Sequence, residues 1–175
     1  MAGDLKEKLT ATSTLVTTAL QSLASSQDFL AGWSSAAINN TSALDFDAYL
    51  AGLFTTHASN RQAGQINVYV VGCQTDAPTW PPTASGTLGT EGAVSFTDTE
   101  ERDSVCTLIE SIIVDSTASA VMTLKGRWIA NQGWLGKLPP YFCLYISHNC
   151  STTTTAGLAS SGNALYLTME KGQYT

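Results

Sequence analysis

The sequence predicts a mainly β protein, an antiparallel β-sandwich or jelly roll preceded by an N-terminal helix or helical arm. Three observations predict it. The chain is rich in hydroxyls, with 24 Thr and 18 Ser among 175 residues and only 13% charged residues, and Thr favours strands and turns over helices. From residue 42 onward, about seven short apolar or alternating segments are separated by Gly, Pro, Asn and Asp signals, the rhythm of an antiparallel sandwich. The N-terminal stretch lacks those signals and carries apolar residues at helical spacing.

Residues 4–33 read as a helix. Leu9, Val16, Leu23 and Leu30 recur at seven-residue intervals, and Leu5, Ala19, Leu20 and Trp33 widen the stripe. The opposite face is mostly Thr, Ser, Gln and Lys. Thr10, Thr12, Thr14, Thr17 and Thr18 are poor helix formers. An arm over residues 1–41 therefore needs a partner surface, either its own domain or a neighbouring subunit.

Residues 42–175 are expected to form the sandwich domain. Leu44, Phe46, Ala48 and Leu50 alternate with Asp45, Asp47 and Tyr49, a strand pattern with a short helix as the alternative. Residues 65–71 place Ile66, Val68 and Val70 on one strand face. Residues 74–92 hold Pro78, Pro81 and Pro82 and then Gly86, Gly89 and Gly92, and read as a long surface loop. A strand is expected at 93–97, a charged turn at 98–103, and a central strand at 105–114. Another strand begins at 121–124, and 127–135 reads as a short helix or a strand end. After the elbow Leu138-Pro139-Pro140, residues 141–147 alternate Tyr141, Cys143 and Tyr145 against Phe142, Leu144 and Ile146. Residues 164–169 supply the last strand.

Charge and motifs narrow the function. The net charge is −6 and the pI about 4.6. Phosphate backbones need clustered Lys and Arg, and eight scattered basic residues form no such patch, so neither nucleic acid nor a membrane surface is an expected partner. No apolar run approaches bilayer length, and the N-terminus lacks the pattern of a secretory leader. Cys73, Cys106, Cys143 and Cys150 are then expected as buried thiols, with a Cys143–Cys150 bridge as the alternative. His57 and His148 are the only histidines, and neither stands in a metal-binding spacing. A site built from His148 with Cys143 or Cys150 would lack a fourth ligand. No G-x-S-x-G elbow occurs, and Asp45 with Asp47 reads as a solvated or ion-paired edge. No catalytic residue, cofactor or metal is expected.

What remains is surface. Leu9, Val16, Leu23, Leu30 and Trp33 on the striped arm are candidate partner-binding residues, and so is Trp80 in the Pro-rich loop, which can anchor a partner, stack on a sugar or cover the sandwich. Trp128 and Trp134 read as lids.

Several segments carry a resemblance. They are A-G-W-S-S-A-A-I-N-N-T (31–41), G-Q-I-N-V-Y-V-V-G (64–72), D-A-P-T-W-P (76–81), S-I-I-V-D-S-T (111–117), K-L-P-P-Y-F-C-L-Y-I-S-H-N (137–149) and S-G-N-A-L-Y (161–166). In this order they resemble tailed-bacteriophage virion structural proteins of the capsid decoration, or cement, type. The resemblance implies a jelly-roll-like domain without enzymatic activity, carried on the virion and assembled in the host cytoplasm. It implies the major capsid protein as partner and a homotrimer or other homo-oligomer. A tail, neck or fibre-base protein and a carbohydrate-binding module are the alternatives.

Overall fold

The computed structural model describes residues 5–73, 77–82, 84–134 and 136–174. In chain order the elements are β1 (Leu5–Leu9), β2 (Ser13–Thr14), β3 (Ala31–Ser34), β4 (Ile38–Asn39), β5 (Asp47–Thr55), β6 (Gly64–Cys73), β7 (Ala84–Ser85) and β8 (Gly92–Phe96). Helix α1 (Thr99–Val105) follows, then β9 (Thr107–Val114), β10 (Val121–Trp128), helix α2 (Ile129–Gly133), β11 (Tyr141–His148) and β12 (Ala164–Tyr174). Strands dominate and the two helices are short, so the expected mainly β, sandwich-like architecture is the one found. One sheet runs β1-β12-β5-β10, with β2 also on β12. The other runs β7-β8-β3-β11-β6-β9, with β4 also on β11.

The expected N-terminal helix is not formed over residues 5–33. The segment instead makes β1 and β2 along β12, a turn, and β3 between β8 and β11. Its β-branched Thr residues suit a ladder, and β12 offers an edge to pair with. Ser22 and Phe29 take φ of 58° and 60°, which no right-handed helix contains. The seven-residue repeat is a coincidence of spacing, since Leu23 and Trp33 are buried in the core while Leu9 and Val16 face solvent.

Between the sheets lies the main core. Ala48, Leu50 and Phe54 of β5 and Leu165 and Leu167 of β12 meet Ile66, Val68 and Val70 of β6 and Phe142, Leu144 and Ile146 of β11. The alternation expected for β6 and β11 is therefore real, but their other face is buried too. Tyr69, Val71, Cys143 and Tyr145 join Leu88, Val94 and Phe96 in a second cluster outside the seven-stranded sheet. The Pro-rich loop helps to cover it through Leu88 and Trp80; of that loop, residues 74–76 and 83 lie outside the described residues.

Three further expectations are corrected. Residues 98–103 form most of α1 instead of a turn, because Asp98 caps it, its Oδ1 accepting from Glu101 N at 2.8 Å. Strand β9 is the edge of its sheet, not a central strand, and exposes Leu108 and Ile113. Strand β5 begins only at Asp47, because Leu44 has φ 50° and breaks the extended run. The apolar–polar alternation inverts there, so that Leu44 and Phe46 point outward and Asp45 is buried. Residues 127–135 are both things expected of them, the end of β10 and then α2; residue 135 lies outside the described residues.

Candidate docking surface

The two sheets differ in how they are covered. Most residues of β6 and β11 are buried and none is exposed. On the five-stranded sheet the inward residues are buried, whereas the outward ones are exposed or half-buried. Strand register sets the composition of that bare face. Leu9 on β1 lies opposite Glu170 on β12, which lies opposite Asp47 on β5. One step along, Thr168 faces Tyr49, and Tyr49 faces Trp128 on β10. Tyr49 and Trp128 pack edge to face with ring centroids 5.2 Å apart. A Cβ on Gly126 would collide with the Tyr49 ring, so glycine there lets the tyrosine lie flat on β10.

Acids gather at one end of this face. Glu7, Asp47 and Glu170 line a cleft of about 420 Å³ together with Phe46, Trp128 and Asn131. Like charges opposed across a ladder are unfavourable. Burial first, and then the neighbouring Glu7 and Asp47 charges and a bond with Glu7, hold the Glu170 carboxyl above its ordinary value. Asp47 has a structural duty as well, since its Oδ1 accepts from Ala130 N at 2.7 Å and so satisfies a free N–H at the start of α2.

Phe46 separates that cleft from a smaller, mostly apolar one of about 230 Å³, walled by Leu44, Phe46, Gly136, Lys137 and Leu138, with Asp45 and Asn40 at its base. Leu44 is 70% exposed and Phe46 48%. The loop is rigidly held. Asn40 Oδ1 accepts from Asp45 N at 2.8 Å, and Asn40 Nδ2 donates to Asp45 O at 3.1 Å. Phe46 N donates to Glu170 O, and Leu138 N donates to Phe46 O. Within this clamp Asp45 is only 6% exposed, and its Oδ1 has no hydrogen-bond partner among the described residues. A buried carboxylate oxygen without a donor is costly and rare in folded proteins.

The side chains weighed for chemistry serve the fold. His148 is fully buried, with Nδ1 accepting from Cys150 N at 3.2 Å and Nε2 donating to Leu23 O at 2.9 Å. Burial pulls its pKa down to about 4. His57 Nδ1 accepts from Ser59 N and Asn60 N in a turn. Cys143 and Cys150 are not bridged, and burial pushes the thiols of Cys106, Cys143 and Cys150 up to about 12. Cys73 is buried, its Sγ accepting from Thr79 N. Asp45 and Asp47 do not form a matched pair on a strand face, since one lies in the loop and the other in β5.

The six residues singled out for partner binding are dispersed. Leu9 lies across from Glu170 at the margin of the bare face, and Val16 is exposed beyond β2. Leu23 and Trp33 are core residues, with Trp33 Nε1 donating to Glu91 Oε1 at 2.9 Å. Leu30 and Trp80 pack on the second cluster, where the Trp80 indole lies against Gly89. Trp134 covers Gly72 and Phe142 as a lid. Sequence reasoning missed Leu44, Phe46, Glu7 and Glu170. The signal for the first two was Leu-Asp-Phe-Asp, beginning four residues after an Asn able to clamp a turn; Glu7 and Glu170 meet only through the β1–β12 register. No protein-family model matches the chain, and a search of curated proteins finds no match.

Proposed function

We propose that this chain is a non-catalytic virion structural protein that decorates and stabilises the capsid shell of a tailed phage, docking on the major capsid protein through the bare face of the five-stranded sheet. The observation that carries the reading is the pairing, at one end of that face, of outward Leu44 and Phe46 with acids that form no ion pair among the described residues. Apolar side chains ringed by polar groups mark contact surfaces. The order of segments that resembles phage cement proteins supplies the virion as the setting. A homotrimer or other homo-oligomer would add avidity to weak individual contacts.

The test is sedimentation of the purified chain with empty heads and, separately, with unassembled capsid subunits. Saturating binding to heads at a fixed ratio, with little binding to subunits, is the expected result; the reverse preference removes the reading. Association with isolated tails in place of heads would move it to a tail, neck or fibre-base role. One observation favours a second reading. Tyr49 and Trp128 form an exposed-edge aromatic platform beside Asn131, Asp47 and Glu170, a composition that also suits a sugar ring. A glycan-array signal lost in Trp128→Ala would favour a carbohydrate-binding module, and a blank array dismisses it.

A further inference from the structure

The Asp45 cleft has a feature that general stickiness does not explain. Its base holds a carboxylate that is 94% buried by its 6% exposure, carries an oxygen with no donor among the described residues, and is fixed in place by the Asn40 clamp. Its walls are Leu44, Phe46 and Leu138. Lys137 also lines the cleft, but it is exposed and forms no ion pair with Asp45 among the described residues. The adjoining cleft adds Glu7, Asp47 and Glu170. Among the described residues that line the two clefts, four are acids and one is a solvated lysine. At about 230 Å³ the cleft lies below the roughly 300–1,000 Å³ of small-molecule sites and matches a single long side chain.

We propose that this cleft receives an arginine side chain from the docking partner, whose guanidinium donates to the Asp45 carboxylate while apolar residues on either side of the arginine rest on Leu44, Phe46 and Leu138. This rests on the docking reading above and names the chemistry of the partner. Arginine fits better than lysine. Its planar fork matches a carboxylate, it sheds water more easily, and it stacks on an aromatic face such as Phe46. A metal ion fits poorly, because calcium takes six or more oxygens and no group of three acid, His or Cys side chains is placed to hold an ion among the described residues. The acids of the neighbouring cleft draw the cation towards the site from a distance.

The experiment uses the full chain and a short capped peptide with one arginine between leucines, alongside the same peptide carrying citrulline, its neutral isostere. Backbone amide shifts are followed by NMR. The arginine peptide is expected to give saturable shifts at Leu44, Asp45, Gly136 and Leu138, with the citrulline peptide weaker by about tenfold or more. Asp45→Asn should erase that difference, and Lys137→Ala should keep or sharpen it. Equal binding of the two peptides, saturable binding of neither, or an equal response to calcium chloride alone overturns the inference. The citrulline comparison uses the unaltered protein, so it stands even if Asp45→Asn does not fold. Head binding that persists without any arginine preference rejects this inference and leaves the docking reading intact. Loss of head binding by the unaltered chain rejects the docking reading itself.

Discussion

His148 and Glu170 make opposite demands on pH. The folded state holds His148 neutral, with a pKa near 4 against 6.5 for the free side chain. As pH falls through 6.5 the unfolded chain takes up a proton that the folded chain refuses, so stability declines from there until about pH 4 and then levels. The full gap corresponds to roughly 3 kcal/mol. Urea unfolding at pH 7, 5.5 and 4.5 should show this decline, and His148→Asn should flatten it while lowering neutral stability by about 1–3 kcal/mol. An unchanged slope in the variant would refute the assignment. Glu170 works the other way. Its raised carboxyl value means that the fold favours the protonated form more than the unfolded chain does, so its contribution is present below the unfolded value and is lost as pH rises through the folded one. Glu170→Gln should therefore raise Tm at pH 7 and leave it little changed at low pH, a comparison that differential scanning calorimetry makes directly. Neither behaviour was legible in sequence. In Ser-His-Asn-Cys the histidine reads only as the polar end of a strand, and burial of His148 depends on Leu23 arriving from a distant segment.

At the level of elements, the N-terminal segment divides into two parts with different duties. Strand β12 pairs with β5 only as far as Glu170, and beyond it residues 171–174 pair with β1 alone. That end is a two-stranded ribbon, in which Lys8 lies directly opposite Lys171, and isolated ribbons of this kind are marginal in water. Residues 20–34, in contrast, place Leu20, Leu23 and Trp33 in the core and β3 inside the second sheet. Deleting residues 2–9 should leave circular dichroism and cooperative unfolding intact, whereas deleting residues 2–37 should abolish the fold. Trp33→Ala should cost about 3–5 kcal/mol. A folded product from the longer deletion would contradict the placement of β3. Strands β6 and β11 were legible because each carries a regular apolar row on its inward face, Ile66-Val68-Val70 and Phe142-Leu144-Ile146, with Gly64 and Gly72 bracketing the first and Pro140 preceding the second. The N-terminal part was not, because leucines seven apart fit a helix stripe as easily as scattered contacts with β12 and β11, and no local rule ranks a ladder above a helix until the partner strand is known. The same limit applies at Leu44, where one left-handed residue reverses the phase of an otherwise regular pattern.

The whole molecule is layered unequally. The seven-stranded sheet is covered on both sides, by the other sheet and by the α1 and Leu88–Trp80 layer. The five-stranded sheet is covered on one side. Arg102 in α1 helps to close the finished side, donating to Asp28 O, pairing with Asp103 and stacking over Tyr69. The open side ends in Leu44, Phe46, the buried Asp45 and the Glu7–Glu170–Asp47 cluster. Composition, with its many hydroxyls and few charges, was enough to indicate a sandwich. Which face stayed bare depended on strand order, which a single sequence does not reveal. The central claim is that this open side is what the protein uses. The direct measurement is the number of chains bound per shell subunit on empty heads, for the natural sequence and for Leu44→Asp with Phe46→Asp. The account predicts saturation at a fixed ratio for the first and a loss of affinity of about tenfold or more for a folded double variant. Equal binding by the two would contradict it.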